Sequence, residues 1–138
     1  MTSIRAYAVA DYAQLKSILE SVSMFDAIWD SEANVLSMIK NDADAVLVAL
    51  VQEKIVGCVY SIAFGTQVAF IFRLAVLPEF QSRGIGTKLL DAMIENGKQK
   101  GVQEFGLFVD QTDKKLNAFY ASRGFGGSQK PWVYLHTP

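Results

Sequence analysis

The chain has little of what most specialised chemistries require. Its 138 residues include one cysteine, Cys58, and one histidine, His136. A single thiol excludes an internal disulfide and a cysteine-rich zinc cluster, and a single imidazole excludes a multi-histidine metal site. Metal chemistry would have to rest on carboxylates, and no metal site is expected. Only 3 prolines, with 51% hydrophobic and 20% charged residues, leave no room for a disordered or low-complexity architecture. Neither sign of charge is in excess: 13 Lys and Arg against 14 Asp and Glu give a net charge of -1. Nothing here pulls in bulk toward nucleic acid or anionic lipid, so any anion must be held locally. The apolar run Ala45–Val51 is far too short to span a bilayer, and Met1–Arg5 is not a basic segment leading into a secretory core. The expectation is a soluble protein of a reducing compartment, the cytoplasm, with no membrane or nucleic-acid partner.

What remains is enough apolar sequence for one core, and a single domain over 1–138 is expected. Ile4–Val9 reads as a strand. Asp11 is placed to cap a helix carrying Tyr12, Leu15, Ile18, Leu19 and Val22 at helical spacing, and Ser31 to cap a second with Val35, Leu36, Met38 and Ile39. Between them Ser23–Asp30 has no clean period and reads as an aromatic, acidic loop. Three β-rich runs follow, Ala45–Gln52, Ile55–Phe64 and Val68–Val76, too closely spaced to be anything but antiparallel neighbours. After Pro78 the period changes to Ile85, Leu89, Leu90, Met93 and Ile94, one face of a helix ending near Gly97–Gly101. Strand Phe105–Val109, helix Lys114–Ser122 and strand Trp132–Leu135 complete the order. The strand-helix-strand unit is long enough for a right-handed parallel crossover. The fold class is therefore α/β of the α+β type, a mixed, mostly antiparallel sheet flanked by helices.

The most informative segment is Gln81-Ser82-Arg83-Gly84-Ile85-Gly86-Thr87-Lys88, which joins the fourth predicted strand to a helix. A helix N-terminus carries unpaired N–H groups and the positive end of the macrodipole, and glycine removes the Cβ that would keep a phosphate oxygen away. Gly84 and Gly86 read as close-approach positions, against the plainer reading of a tight turn. Two other phosphate loops do not fit. A Walker A loop needs Lys-Ser/Thr directly after the second glycine, and a Rossmann fingerprint needs a small residue where Leu89 stands.

This segment, Gln81-Ser82-Arg83-Gly84-Ile85-Gly86, with its lead-in Leu74–Phe80 and the downstream Leu116-Asn117-Ala118-Phe119-Tyr120-Ala121-Ser122-Arg123-Gly124-Phe125, resembles the GCN5-related N-acetyltransferases. In that family a [QR]-x-x-G-x-[GA] turn binds acetyl coenzyme A. The resemblance implies the acyl-CoA N-acyltransferase fold, with the fourth and fifth strands splayed around the pantetheine arm. It further implies that Leu74, Ala75 and Val76 line that arm, the main chain of Leu74 and Val76 pairing with its amides. The amides of Arg83, Gly84, Ile85, Gly86 and Thr87, in the turn that Gln81 and Ser82 open, would hold the pyrophosphate. Acetyl-CoA is then a cosubstrate and an amine the acceptor; a monomer and a homodimer both remain open.

Tyr120 matches the family's tyrosine that protonates the departing thiolate. From spacing alone it reads rather as a core aromatic one turn from Leu116, and only the resemblance reverses that. A thiol titrates near 8.5 and a phenol near 10, so that transfer is uphill by only about 2 kcal/mol. No base carries over, because Phe70–Arg73 and Gly106–Val109 contain no carboxylate; Asp110 and Glu79 remain as groups acting through water. Deprotonating a lysine-like amine at neutral pH costs about 4.6 kcal/mol against about 1 to 1.4 for an α-amine, so the site suits the second. Asp113 stands where many members have a coenzyme-contacting asparagine and reads as a helix cap; Asn117 reads as a substitute contact or as a plain surface asparagine. Loop residues Met24, Phe25, Asp26, Ile28, Trp29 and Asp30 suit a cationic amine, or a satellite core. Cys58 reads as inert core and His136 as exposed. The function expected is transfer of acetyl from acetyl-CoA to a primary amine by direct attack. The alternative is a non-catalytic acyl-CoA sensor or interaction module of the same fold.

Overall fold

The structure is a computed structural model describing residues 1–110, 112–126, 135 and 137. The chain forms two compact units, Met1–Leu107 and Phe108–Pro138. In the first, β1 (Thr2–Ala6) leads through a 3-10 turn, Val9–Asp11, into α1 (Tyr12–Ser21), and α2 (Glu32–Asn41) follows. The meander β2 (Val46–Val51), β3 (Lys54–Phe64) and β4 (Val68–Val76) comes next, then α3 (Ile85–Gln99) and the short β5 (Glu104–Gly106). The second unit holds α4 (Lys114–Ser122).

Sheet order is β1-β2-β3-β4-β5, antiparallel throughout except for the parallel β4–β5 pair. The mixed sheet expected from the sequence is therefore present. Strand residues alternate between two buried faces. Val46, Val48, Cys58 and Tyr60 join Leu15, Ile18, Leu19 and Val35 in one cluster under α1 and α2. Leu47, Ala49 and Val59 point the other way, where α3 buries Ile85, Leu89, Leu90 and Met93 against β2, β3 and β4.

Some expected boundaries move. The first strand ends at Ala6 because Val9–Asp11 is drawn into a 3-10 turn. Asp11 does not cap α1 with its side chain: Arg5 Nη1 and Nη2 donate to its carboxylate at 2.7 and 3.0 Å, and the Ala8 N–H donates at 2.8 Å. That guanidinium, against the opposing effect of burial, holds the Asp11 carboxyl below its ordinary value. Ser31 and Asp113 do cap, accepting from the Asn34 and Leu116 N–H groups. The strand expected at Phe105–Val109 is shorter, Glu104–Gly106. Of the strand expected at 132–135, only Leu135 is described, exposed and outside any strand; His136 lies outside the described residues. Among the described residues no helix is long and apolar enough to cross a membrane.

Candidate functional site

The turn after β4 is built from backbone. Pro78–Phe80 forms a 3-10 turn, Ser82 takes a positive φ of 64°, and Gly84, φ 80°, is the N-cap of α3. No side chain caps the helix, so its first N–H groups are left without an intrahelical partner. A Cβ added at Gly84 or at Gly86 would meet nothing within 4 Å. At Gly84 the left-handed backbone gives a reason for glycine. At Gly86, with no positive φ and open space in front, packing gives none. Arg83 donates from Nη2 to the Glu79 carbonyl at 3.2 Å, with its guanidinium 5.1 Å from the centre of the Phe80 ring. Lys54 lies over the same ring at 5.6 Å. Glu79 itself is exposed.

Among the described residues, β4 approaches this turn with one edge unpaired in the sheet. Its ladder with β5 covers three pairs and ends at Phe70 opposite Gly106, while on the other edge it stays paired to β3 as far as Val76. The Leu77 N–H donates to the Val56 carbonyl on the β3 side at 2.8 Å. The carbonyl of Val76, in the same trans peptide, therefore points away from β3. Gln81 Nε2 donates to that Val76 carbonyl at 3.0 Å, tying the first residue of the turn to the strand edge.

A bulge interrupts β4 just upstream. Cys58 pairs with Ala75 and Tyr60 with Phe72, so Arg73 and Leu74 together face the single residue Val59. Arg73 adopts φ 56° there. Its Nε lies 3.1 and 3.2 Å from the Asp30 carboxylate oxygens and its Nη2 3.0 Å from one of them. The Asp30 side chain is fully buried, and its guanidinium partner sits 5.4 Å from the Trp29 ring centre. Behind them Tyr60 has a buried hydroxyl with no hydrogen-bond partner among the described residues; burial first, and the Asp30 carboxylate second, push its phenol far up. Cys58 donates to the Arg73 carbonyl, and burial pushes its thiol up to about 12, which makes it inert.

Sequence reasoning placed Trp29 and Asp30 in a candidate acceptor loop but missed Arg73. The signal was present: one arginine inside the otherwise apolar run Phe70–Val76 must find a carboxylate if its stem is buried. Met24, Ile28 and Trp29 are exposed, Phe25 packs against the α1 and α2 cluster, and Asp26 accepts from the Ile28 and Trp29 N–H groups.

In the second unit α4 carries Tyr120, half-buried and stacked edge-on against Phe119 and Phe125 with centroid separations of 5.2 and 5.8 Å. Burial raises its phenol above the ordinary value. Asn117 Nδ2 donates to the carbonyls of Asp110 and Asp113 at 2.8 and 2.7 Å, fastening the segment before α4 to the helix. The Asp110 carboxylate is exposed, held by the Thr112 hydroxyl and N–H at 2.7 and 2.8 Å, and those bonds lower its pKa.

With this geometry in hand, three relatives bear on it. An uncharacterized N-acetyltransferase of Archaeoglobus fulgidus is 34% identical over 92 residues, covering 62% of this chain and 63% of the relative. The [ribosomal protein bS18]-alanine N-acetyltransferase of Salmonella typhimurium is 39% identical over 57 residues, 41% of this chain and 38% of the relative. The chain thus spans less than two thirds of the length of the curated relatives it matches. Among solved structures, the PaiA N-acetyltransferase of Thermoplasma acidophilum in complex with coenzyme A superposes with a TM-score of 0.84 at 19% identity, covering 95% of this chain and 93% of that one. A model of the acetyltransferase (GNAT) family matches residues 9–125, and the chain belongs to that family.

Proposed function

We propose that this chain, acting as one domain over 1–138, binds acetyl-CoA and transfers its acetyl group to a primary amine by direct attack. The observation that carries the reading is Gly86. The helix would be better served by almost any other residue, and nothing among the described residues needs the missing Cβ. A glycine there makes sense if a ligand closes on the N-terminus of α3. The open edge of β4 supports the same reading, because the outward carbonyl of Val76, together with the main chain of Leu74, can pair with the amides of an extended arm. Ala75, whose side chain is buried, spaces them. The N–H groups of Arg83 to Thr87 suit a diphosphate, in the turn opened by Gln81 and Ser82.

In this reading Tyr120 donates the proton to the departing thiolate. Burial keeps the phenol neutral, so the proton is available across the working pH range. Asn117, already bonded through its amide nitrogen, has its side-chain oxygen to offer the cosubstrate. β4 carries no carboxylate to act as a base, Gly106–Val109 supply none, and Asp30 is bound by Arg73. An α-amine is accordingly the acceptor class that needs least help, and the alanine named for the Salmonella relative has no other amine than its α-amine.

The missing base also favours a second reading, a coenzyme-binding module without turnover. Release of free thiol from acetyl-CoA in the presence of an alanine-initiated peptide, kanamycin or spermidine decides between them. Amine-dependent release supports the transferase. Coenzyme A binding with no release for any amine supports the module.

A further inference from the structure

The acidic loop and the open strand edge are joined by one buried ion pair, and its construction exceeds what packing asks for. Among the described residues with positive φ other than glycine, Ser23, Gln52, Glu53 and Ser82 lie in turns or loops, and Arg73 alone lies inside a strand. A side chain there costs about 1–2 kcal/mol that glycine would avoid. The bulge could have been made by glycine; what arginine adds is a side chain directed at Asp30. Tyr12 Oη donates to the Asp30 carbonyl and Asn34 Nδ2 to the Trp29 carbonyl, which fasten the loop to α1 and α2. Those bonds tie the loop to helices; the Arg73 fork ties it to the sheet, one residue upstream of Leu74. Asp30 also accepts from the Asp26 N–H at 2.9 Å, and Asp26 in turn holds the Ile28 and Trp29 N–H groups. The loop's own turn is therefore organised around a carboxylate whose charge is balanced from β4.

We infer that Arg73 is a positioning residue that latches loop 23–30 to the β4 bulge and so sets acceptor affinity without touching the coenzyme. This rests on the proposed transfer reaction, in which the loop borders the acceptor and the edge beyond Arg73 holds the acyl donor. The guanidinium fork fixes Asp30, Asp30 fixes the loop backbone, and Trp29 stacked on the guanidinium is fixed with it. Lysine at this place would keep the charge but not the fork.

The test uses the whole chain carrying Arg73→Met, Arg73→Lys or Asp30→Asn, with an alanine-initiated hexapeptide as acceptor and hydrogen exchange of the loop amides as a second readout. For Arg73→Met the acceptor KM rises roughly tenfold or more while the KM for acetyl-CoA stays within about twofold, since a small displacement of a positioning group costs on that scale. Loop amides 26–30 exchange faster, and Arg73→Lys recovers part of both effects. Unchanged exchange, or a KM for acetyl-CoA that rises as much as that of the peptide, overturns the latch. Should the unmodified protein acetylate no amine, the transfer reading falls, and the exchange experiment still decides the latch on its own.

Discussion

Tyr120 and Gly86 ask different things of a single substitution. Tyr120→Phe keeps the edge-on ring contacts with Phe119 and Phe125 and removes one proton. The expected result is a kcat lower by roughly 100-fold, within the range for loss of a general acid, with the KM for acetyl-CoA unchanged. Burial raises the Tyr120 phenol, so its neutral form persists beyond the ordinary phenol range. The pH profile of kcat/KM should then climb as an α-amine loses its proton near pH 8 and stay level to about pH 10. A fall below that pH, or full activity in the phenylalanine variant, removes the assignment. Gly86→Val places a side chain in open space on a helix that slightly prefers it, so thermal stability should hold while coenzyme A affinity falls at least roughly 100-fold. An isothermal titration of both proteins checks this. The glycines were legible in the sequence because turn chemistry is local. The Arg73–Asp30 pair was not, because its partners are 43 residues apart and meet only when loop and strand are packed.

At the scale of elements the periodic pattern located every described helix and strand of the sheet, and it erred where a neighbouring group took over a residue's local role. Asp11 sits where a cap belongs, but Arg5 on β1 claims its carboxylate. β5 stops at Gly106 although apolar residues continue, because β4 supplies no paired residue beyond Phe70. Gly97 illustrates the same competition inside α3. It is a poor helix former in the last turn of that helix, yet a Cβ there would lie 2.6 Å from two carbons of the Phe105 ring on β5. Gly97→Ala should gain about 1 kcal/mol of helix propensity and lose about 1–3 to overpacking, for a net destabilisation. Chemical denaturation measures the balance. A variant as stable as the parent would mean that the α3–β5 approach is looser than the structure shows.

For the molecule as a whole, a net charge of -1 means that long-range attraction does little for an anionic ligand. If charge alone drew ligands to the α3 N-terminus and the Lys54 and Arg83 side chains around Phe80, ATP would serve as well as coenzyme A. If the unpaired edge of β4 also reads an extended amide-bearing arm, the two ligands separate, because ATP offers nothing to Leu74 and Val76. A ligand present at 100 times its dissociation constant stabilises the folded state by about 2.7 kcal/mol. For a chain of this size that is a rise in melting temperature of about 10 °C. Coenzyme A should produce it, ATP and NAD should not, and Gly86→Val should abolish it without lowering the melting temperature of the ligand-free protein. Equal shifts with ATP would reduce the site to a generic anion cradle, and would take from the β4 edge the recognition assigned to it.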